Sequence, residues 1–343
     1  MRIVSLLPSA TEILCLVGGK DLLVGRSHEC DFPSGPDGGL GHLPVLTAAR
    51  TTYAGGPGAS AAVDQQVRTA LSGSSEGSSP PSLYELDTQM LETLEPDIIL
   101  TQNLCEVCSI ALPEVEAAAQ RIGERTGREP RVISLDPHTL EQVYDDCLAI
   151  GKAIGHEGDA MHAVAQLRER FYAAADLVPA FAHAPVVGFL EWTEPIFIAG
   201  HWTVQLIERA GGRHPLNETV AKAGAGSAMG AMHSERVAGK SIAVPPEVFA
   251  ATQPEALVVA PCGLTLAQTR EAAQELADQD WFQSLPAVQA GKVALVDGNQ
   301  YFNRPGPRLV DAFEWLVAWL HDRPERMPAG FAWEAWGGDG VRS

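Results

Sequence analysis

The sequence lacks long hydrophobic runs and is poor in basic residues. No stretch approaches the roughly 18 consecutive apolar residues that indicate a membrane-spanning helix. The 343 residues carry 24 Lys and Arg against 43 Asp and Glu, a formal net charge of −19. Nucleic acids and anionic membrane surfaces are held by clustered Lys and Arg, so neither is expected as the main partner. Hydrophobic residues still make up 45%, which permits a buried core and excludes a wholly disordered chain.

Some common catalytic motifs are also missing. The chain contains neither H-E-x-x-H nor G-x-x-x-x-G-K-[ST]. The pairs Gly18-Gly19 and Gly211-Gly212 follow helical patterns, where glycine caps a helix C-terminus rather than cradling a phosphate. We therefore predict a protein that is not an enzyme.

Strand-length apolar runs alternate with helical patterns along the chain, which is typical of α/β folds with mostly parallel sheets. An N-terminal lobe is expected over residues 1–138, with a mobile insertion rich in Gly, Ser, Ala and Pro at 54–82. Residues 139–178 predict one long interlobe helix or two abutting ones. A second lobe is expected at 179–322, and a tail at 323–343.

The N-terminus gives two further expectations. Its first eight residues carry one Arg and an apolar run too short for the core of a signal peptide. A complete chain is therefore expected in the cytoplasm, and a chain that has lost a leader in the periplasm. Ser9 and Glu12 have the S-x-x-E spacing of a capping box, which predicts that a helix begins here.

Chemically distinctive residues follow the carboxyl ends of the predicted strands. Open parallel sheets bind ligands at this edge, so we expect the loops of the two lobes to face each other across a cleft. The predicted ligand-binding residues are Pro8, Glu12, Tyr53, Glu191, Trp192, His201, Trp202, Asn299, Tyr301, Phe302, Asn303, Arg304 and Arg308.

The aromatic members of this set suit a large planar ligand. Stacking contributes about 0.5–1.5 kcal/mol per ring pair beyond area burial. Trp192, Tyr301 and Phe302 follow strand ends, which favours the cleft. The alternative is that these rings pack inside the lobe cores.

The polar members have two interpretations each. Arg304 and Arg308 can pair with a carboxylate or phosphate of the ligand. A salt bridge between the lobes, to Glu12 or Glu191, is the alternative. His201 can bind cobalt or another metal through a neutral imidazole, or serve as a hydrogen-bonded structural residue.

Cysteine and histidine residues form a second candidate site. Thiolates and imidazoles bind zinc, and thiolates hold iron–sulfur centres. Cys105 and Cys108 have the spacing of one half of a zinc or redox pair. A thiol pair, simple packing and a cross-loop disulfide with Cys30 stay open as alternatives. The predicted metal ligands are His28, Cys30, Cys105, Cys108 and Cys262.

Four segments resemble the helical-backbone, or class III, substrate-binding proteins of ABC importers, which bind vitamin B12 or iron siderophores. They are RIVSLLPSATE at 2–12, LEPDIIL at 94–100, QPEALVV at 253–259 and NRPGPR at 303–308. The resemblance covers roughly residues 1–322. It is strongest to a leaderless, cobalamin-binding-like branch in which His-Glu-Cys-Asp and Cys-x-x-Cys elements recur.

This resemblance implies two α/β lobes that hold a corrinoid such as cobalamin, or another metal chelate, without catalysis. Importer-binding proteins carry one acidic residue on each lobe, which docks on arginines of the permease. Gln89 and Glu247 occupy these positions here, and the neutral Gln89 cannot form that ion pair. The alternative function is a cytosolic Cys/His metalloprotein or redox protein, with zinc or an iron–sulfur centre, that acts on a small molecule.

Overall fold

The computed structural model describes residues 1–34, 39–72, 82–103, 110–180, 182–222, 230, 232 and 236–337. The chain divides into two compact units. The N-terminal unit comprises Met1–Thr52, Gln65–Pro137 and Gln142–Ala165. The C-terminal unit comprises Tyr53–Asp64, His138–Glu141 and Gln166–Ser343. None of the helices in the described ranges is long and apolar enough to cross a bilayer.

The strands of the N-terminal unit form one parallel sheet and one short ribbon. They are β1 (Ile3–Ser5), β2 (Leu23–Arg26), β3 (Thr47–Ala49), β4 (Tyr84–Leu86), β5 (Ile98–Thr101) and β6 (Arg131–Ser134). The parallel sheet has the order β2-β1-β5-β6, and β3 pairs antiparallel with β4. Every residue of β1 and β5 is buried, as expected for parallel strands covered on both faces.

Six helices begin before the second sheet. They are α1 (Pro8–Leu16), α2 (Ala59–Ser72), α3 (Thr88–Leu94), α4 (Leu112–Thr126), α5 (Leu140–Ile154) and α6 (Glu157–Ala175). Helix α1 starts at Pro8 and has no side-chain cap. The predicted capping box is therefore wrong, because proline at the first helical position places Ser9 inside the helix.

Helices α5 and α6 occupy the stretch predicted as one long helix or two abutting ones. The break lies at Gly155, whose φ of +80° favours glycine. A Cβ on Gly151 would lie 2.3 Å from the Cβ of Ala160, so glycine at 151 lets the two helices pack closely. Each helix has residues in both units, and the pair connects them.

The C-terminal unit is built on a six-stranded sheet. The strands of this sheet are β7 (Val187–Thr193), β8 (Ile196–Ile198), β11 (Ile242–Ala243), β12 (Ala256–Val259), β13 (Val293–Val296) and β14 (Trp333–Ala335). A separate two-stranded ribbon consists of β9 (Val220–Ala221) and β10 (Arg236–Val237). The order is β11-β8-β7-β12-β13-β14. The three central strands are parallel, whereas β8, β11 and β14 pair antiparallel. The predicted α/β class is confirmed, with more antiparallel edges than expected.

The helices of the C-terminal unit follow these strands. They are α7 (His201–Arg209), α8 (Pro246–Ala251), α9 (Leu266–Ala277), α10 (Asp280–Gln283), α11 (Pro286–Gln289) and α12 (Leu309–Leu320). Phe249 and Phe282 are almost completely buried in the core between α8–α11 and the sheet. Short 3-10 turns occur at Lys20–Leu22 and Pro324–Arg326.

Three segments have local structure that their sequence patterns do not indicate. Residues 191–195 follow an apolar run but are mostly strand, because β7 runs to Thr193 and turns into β8. The helix that ends at Leu94 starts only at Thr88, where Asp87 caps it and accepts a hydrogen bond from the Met90 N–H (2.8 Å). The Gly- and Ser-rich stretch at 54–82 contains α2.

Candidate functional site

The loops that follow β1 and β2 are in contact within the N-terminal unit. Pro8 begins α1 immediately after β1, and the Glu12 side chain on the same helix is buried. The Thr11 Oγ1 lies 3.0 Å from the Sγ of Cys30, which follows β2 and is 2% exposed. The Cys30 thiol is therefore packed against α1.

His28 is held by hydroxyl groups. Its Nδ1 lies 2.7 Å from Oγ1 of Thr47, which also accepts a hydrogen bond from the backbone N–H of His28 (3.0 Å). The same hydroxyl donates to Ser27 Oγ at 3.1 Å. On the far side of the ring, His28 Nε2 lies 3.3 Å from a Glu29 carboxylate oxygen. His28 thus joins the loop after β2 to the start of β3.

The structure divides the predicted metal ligands between the units. His28 and Cys30 belong to the N-terminal unit, and Cys262 is exposed on the C-terminal unit. Cys105 and Cys108 lie outside the described residues. Across the described part of the chain, no three His, Cys, Asp or Glu side chains come together as a metal site.

In the C-terminal unit, the loop after β13 is stabilised by its own polar side chains. Asp297 accepts hydrogen bonds from the backbone N–H groups of Gln300 (2.8 Å), Asn299 (3.1 Å) and Leu266 (3.2 Å). Asn303 donates through Nδ2 to the carbonyls of Gly298 (2.9 Å) and Ala260 (3.0 Å). These contacts bind the loop after β13 to the end of β12.

The two arginines of this loop also have intramolecular partners. Arg304, 6% exposed, donates to Asn299 Oδ1 at 3.1 Å. Arg308 donates to Gln300 Oε1 at 2.5 Å, and its guanidinium carbon lies 5.4 Å from the centre of the Tyr301 ring. Both guanidinium groups therefore help to shape the loop.

Tyr301, Phe302 and Trp202 pack within the C-terminal unit. Tyr301 stacks on Phe331 with ring centres 3.9 Å apart. Phe302 is completely buried, and its ring lies edge-on to Phe189 at 5.0 Å. Trp202, 7% exposed, donates from Nε1 to the Phe302 carbonyl at 2.5 Å. Phe302 and Trp202 form part of the unit's aromatic core.

Trp192 lies on β7 and is half-buried. Its Nε1 donates to the backbone carbonyls of Ser60 (3.2 Å) and Glu194 (3.1 Å). Thr193 Oγ1 donates to Ser60 Oγ at 2.8 Å. Tyr53 begins the same 53–64 segment, and burial, together with Glu275 and Glu271, raises its pKa. The segment therefore packs on the β7–β8 hairpin and brings Tyr53 and Trp192 into one unit.

Glu191 joins two loops of the C-terminal unit. Its carboxylate accepts a hydrogen bond from the Gly200 N–H (3.3 Å) and a short one from the Ser241 hydroxyl. Burial raises the pKa of Glu191 to about 7, and the two hydrogen bonds oppose that shift. A Cβ on Gly200 would lie 2.2 Å from the backbone nitrogen of Ser241, so this contact requires glycine.

Asn217 fixes the same junction from the other side. Its Nδ2 donates to the carbonyls of Ala199 (2.9 Å) and Lys240 (3.1 Å), and its Oδ1 accepts from the Gly239 N–H (3.2 Å). The His201 N–H donates to the Gly239 carbonyl at 2.8 Å. The backbone at the start of α7 is therefore held on several sides.

His201 faces a second imidazole. Its Nδ1 lies 3.1 Å from Nδ1 of His138, which precedes α5 and belongs to the same unit. Burial lowers the pKa of His201 to about 4, with further contributions from His138 and Lys240. His201 is therefore a neutral imidazole near pH 7.

Sequence reasoning missed His138, Asn217 and Ser241. His138 follows β6 by a few residues, so the rule that ligands gather at strand carboxyl ends could have selected it. Asn217 and Ser241 act through contacts between segments far apart in sequence, and no local motif marks them.

Residues 86–299, more than half of the chain, match the periplasmic binding protein family model, so the chain belongs to this family. The resemblance to substrate-binding proteins of ABC importers is confirmed. Members of the family bind ligands and are not enzymes, in agreement with the prediction from the sequence. No curated protein matches the chain.

Several solved structures share the fold. They include the periplasmic heme-binding protein RhuT from Roseiflexus sp. RS-1 in apo form, with a TM-score of 0.63 and 21% identity over 94% of this chain and 98% of that one. A periplasmic heme-binding protein from Pseudomonas aeruginosa has a TM-score of 0.61 and 20% identity over 94% of this chain and 92% of that one. The vitamin B12-binding protein BtuF of Vibrio cholerae has a TM-score of 0.61 and 20% identity over 94% of this chain and 97% of that one. At these identities the likeness establishes the two-lobe fold.

Proposed function

We propose that this protein binds a metal chelate, either a corrinoid such as cobalamin or a heme, and releases it unchanged. The main support for this proposal is that 94% of the chain matches the fold of solved heme-binding and vitamin B12-binding proteins. Membership of a family of ligand-binding proteins supports a role in binding rather than catalysis.

Trp192 is the aromatic side chain best suited to a planar ligand. Its indole is half-buried, and its Nε1 is fixed by two backbone carbonyls. Such a ring can stack without losing much rotational freedom on binding. Tyr301 already stacks on Phe331, so its role is to support the loop after β13.

A transporter partner would meet different chemistry on the two units. Family members deliver ligands to ABC permeases, and Glu247 is exposed in the first turn of α8. Gln89 is exposed on α3 but has no charge to offer a permease arginine. We therefore propose that any docking relies on Glu247 alone. The family normally acts outside the cytoplasmic membrane, and the cytoplasmic location expected for a complete chain stays a prediction.

The direct test is a titration of the purified, tag-free chain with cyanocobalamin and, separately, with hemin. Saturable binding of one of them, followed by calorimetry and visible absorption, is the expected result. The bound ligand should also raise the melting temperature, because it binds only the folded state. Binding of neither compound, with an unchanged melting temperature, would overturn the proposal.

A pair of tryptophan variants then tests the stacking surface. Trp192→Ala should weaken binding about 2- to 12-fold, which corresponds to one stacking contact. Trp336→Ala is the matched control, because Trp336 is also half-buried in the C-terminal unit but packs edge-on to Phe282. Equal losses of affinity in the two variants would show that Trp192 does not contact the ligand.

A further inference from the structure

Two imidazole rings face each other at the start of two helices of the C-terminal unit. His138 lies just before α5, and His201 is the first residue of α7. Their Nδ1 atoms are 3.1 Å apart, their ring centres are 4.9 Å apart, and the ring planes meet at 55°. Two nitrogen atoms that each carry a lone pair when unprotonated are thus brought to one point.

The distance of 3.1 Å between the two Nδ1 atoms suits two imidazoles that bind the same metal ion. Metal–imidazole bonds are about 2.0–2.1 Å long, so nitrogen atoms 3.1 Å apart subtend an angle of about 100° at a shared ion. That angle lies between those of octahedral and tetrahedral coordination. The two imidazoles therefore have the geometry of adjacent, or cis, ligands.

The backbone on the His201 side is fixed before any ion binds. The His201 N–H donates to the Gly239 carbonyl, and Asn217 and Glu191 secure the segments on either side of it. The imidazole stacks on the buried Trp202 ring, with centres 5.6 Å apart and planes 23° apart. Little reorganisation is needed at this ligand.

The backbone after His138 is anchored as firmly. The Leu140 N–H donates to Gln205 Oε1 at 3.0 Å. Glu141 forms a 2.7 Å ion pair with Arg209, which is 3% exposed. Both partners lie on α7, the helix that begins with His201. One helix therefore sets the spacing of the two imidazoles.

We propose that His138 and His201 form a binding site for a divalent transition-metal ion, with the two Nδ1 atoms as cis ligands. Imidazole suits zinc, nickel and copper. The described residues supply no group of three His, Cys, Asp or Glu ligands. In the proposed site, water or a small chelating molecule takes the other coordination positions. Each Nδ1 binds the ion without a proton, so each neutral imidazole carries its one proton on Nε2. The ring that donates from Nδ1 when no ion is bound moves that proton to its Nε2.

This site differs from the chelate site proposed above. A planar tetrapyrrole fills four equatorial positions of its metal, and the two that remain lie on opposite sides, about 4 Å apart. Imidazole nitrogens 3.1 Å apart cannot fill both. The two imidazoles together can therefore bind a bare ion, or an ion in an open chelate, but not the metal of a tetrapyrrole.

The test uses the tag-free chain and the metal salts alone, at about pH 7.5, where unperturbed histidine is neutral. Calorimetry with Zn²⁺, Ni²⁺ and Cu²⁺ should show one site per chain that is absent from the variants His138→Gln and His201→Asn. Asparagine is chosen because residue 201 has a φ of +48°, which asparagine adopts readily. His162→Gln, which changes an exposed histidine on α6, is the matched control.

Removal of a residue that only supports a metal ligand lowers metal affinity roughly 10–100-fold. Each single variant removes a ligand itself, so its affinity should fall by more than that. Electron paramagnetic resonance of the Cu²⁺ complex should show two coordinated nitrogen atoms. Equal affinity in the wild type and the double variant would overturn the site and show that the rings only share a hydrogen bond. If His201→Asn lowers the melting temperature, the metal affinity of His138→Gln is used instead to test the site. No chelate enters this test, so its outcome is separate from cobalamin or heme binding.

Discussion

The two units hold their strand-end loops with different chemistry. In the N-terminal unit, the hydroxyl of Thr11 meets the thiol of Cys30, and the Thr47 hydroxyl joins β3 to the loop after β2. In the C-terminal unit, the carboxylate of Glu191 and the amide of Asn217 bind the loops around α7. Hydroxyl groups therefore make the central contacts in the N-terminal unit, whereas a carboxylate and an amide make them in the C-terminal unit.

The largest expected effect concerns an ion pair of the C-terminal unit whose arginine is buried. Glu141→Ala removes a carboxylate partner of Arg209, whose side chain is 1% exposed. Loss of one partner of a fully buried pair costs about 3–5 kcal/mol of unfolding free energy, and we expect the low end here because the Glu141 side chain is 29% exposed. In the N-terminal unit, Glu92→Ala removes the partner of the exposed Arg121 (2.7 Å) and should cost less than about 1 kcal/mol. Similar shifts of the urea midpoint for both variants would contradict this contrast.

A smaller effect is expected at two glycines. Gly200→Ala places a Cβ 2.2 Å from the backbone nitrogen of Ser241 and 2.5 Å from the Lys240 carbonyl carbon, neither of which moves alone. In Gly25→Ala, in β2, the nearest neighbours of the new Cβ are side-chain methyl groups: Leu46 at 2.5 Å, Leu94 at 2.8 Å and Val4 at 3.4 Å. Overpacking costs about 1–3 kcal/mol, so Gly200→Ala should fall near the top of this range and Gly25→Ala near the bottom. Thermal unfolding of the pair measures the difference, and the reverse order would show that the Ser241 segment is free to move.

The central strands could be predicted because their signal is local. The strands Ile98–Thr101 and Ala256–Val259 are buried throughout and, apart from Thr101, apolar. A proline and an acidic residue precede each of them. The alternation of strands and helices then gave the fold class. Helices α5 and α6 were foreseen because glycines interrupt an otherwise continuous pattern.

What could not be predicted depends on contacts between distant segments. The β7–β8 hairpin turns at Glu194 and Pro195, without the Asn-Gly or Asp-Gly pair that marks a tight hairpin in a sequence. Strand β14 pairs with β13 at the sheet edge although its composition resembles a tail. His138 gains its partner, His201, only through the anchoring of Leu140 and Glu141 on α7.

The third prediction tests the hydroxyl chemistry of the N-terminal unit. Thr47→Val keeps the shape of the side chain but removes the acceptor of the His28 N–H and the donor to Ser27. Leaving these groups unpaired costs about 1–3 kcal/mol, and we expect the low end because His28 is only partly buried. Thr93→Val, on the exposed face of α3, is the matched control and should change the melting temperature little. Equal effects would mean that the Thr47 network adds no stability.

The last prediction concerns the pH dependence that Glu191 gives to the C-terminal unit. The pKa of Glu191 is raised to about 7 by burial, so the folded state holds this proton more tightly than the unfolded state does. Its contribution to stability is complete below the unfolded pKa of about 4.3 and is lost as pH rises through about 7. Glu191→Gln cannot titrate, so its melting temperature relative to the wild type should rise between about pH 5 and about pH 8. Glu194→Gln, on the exposed turn beside it, should follow the wild type throughout, and a constant difference for Glu191→Gln would show that the carboxyl group ionises normally despite its burial.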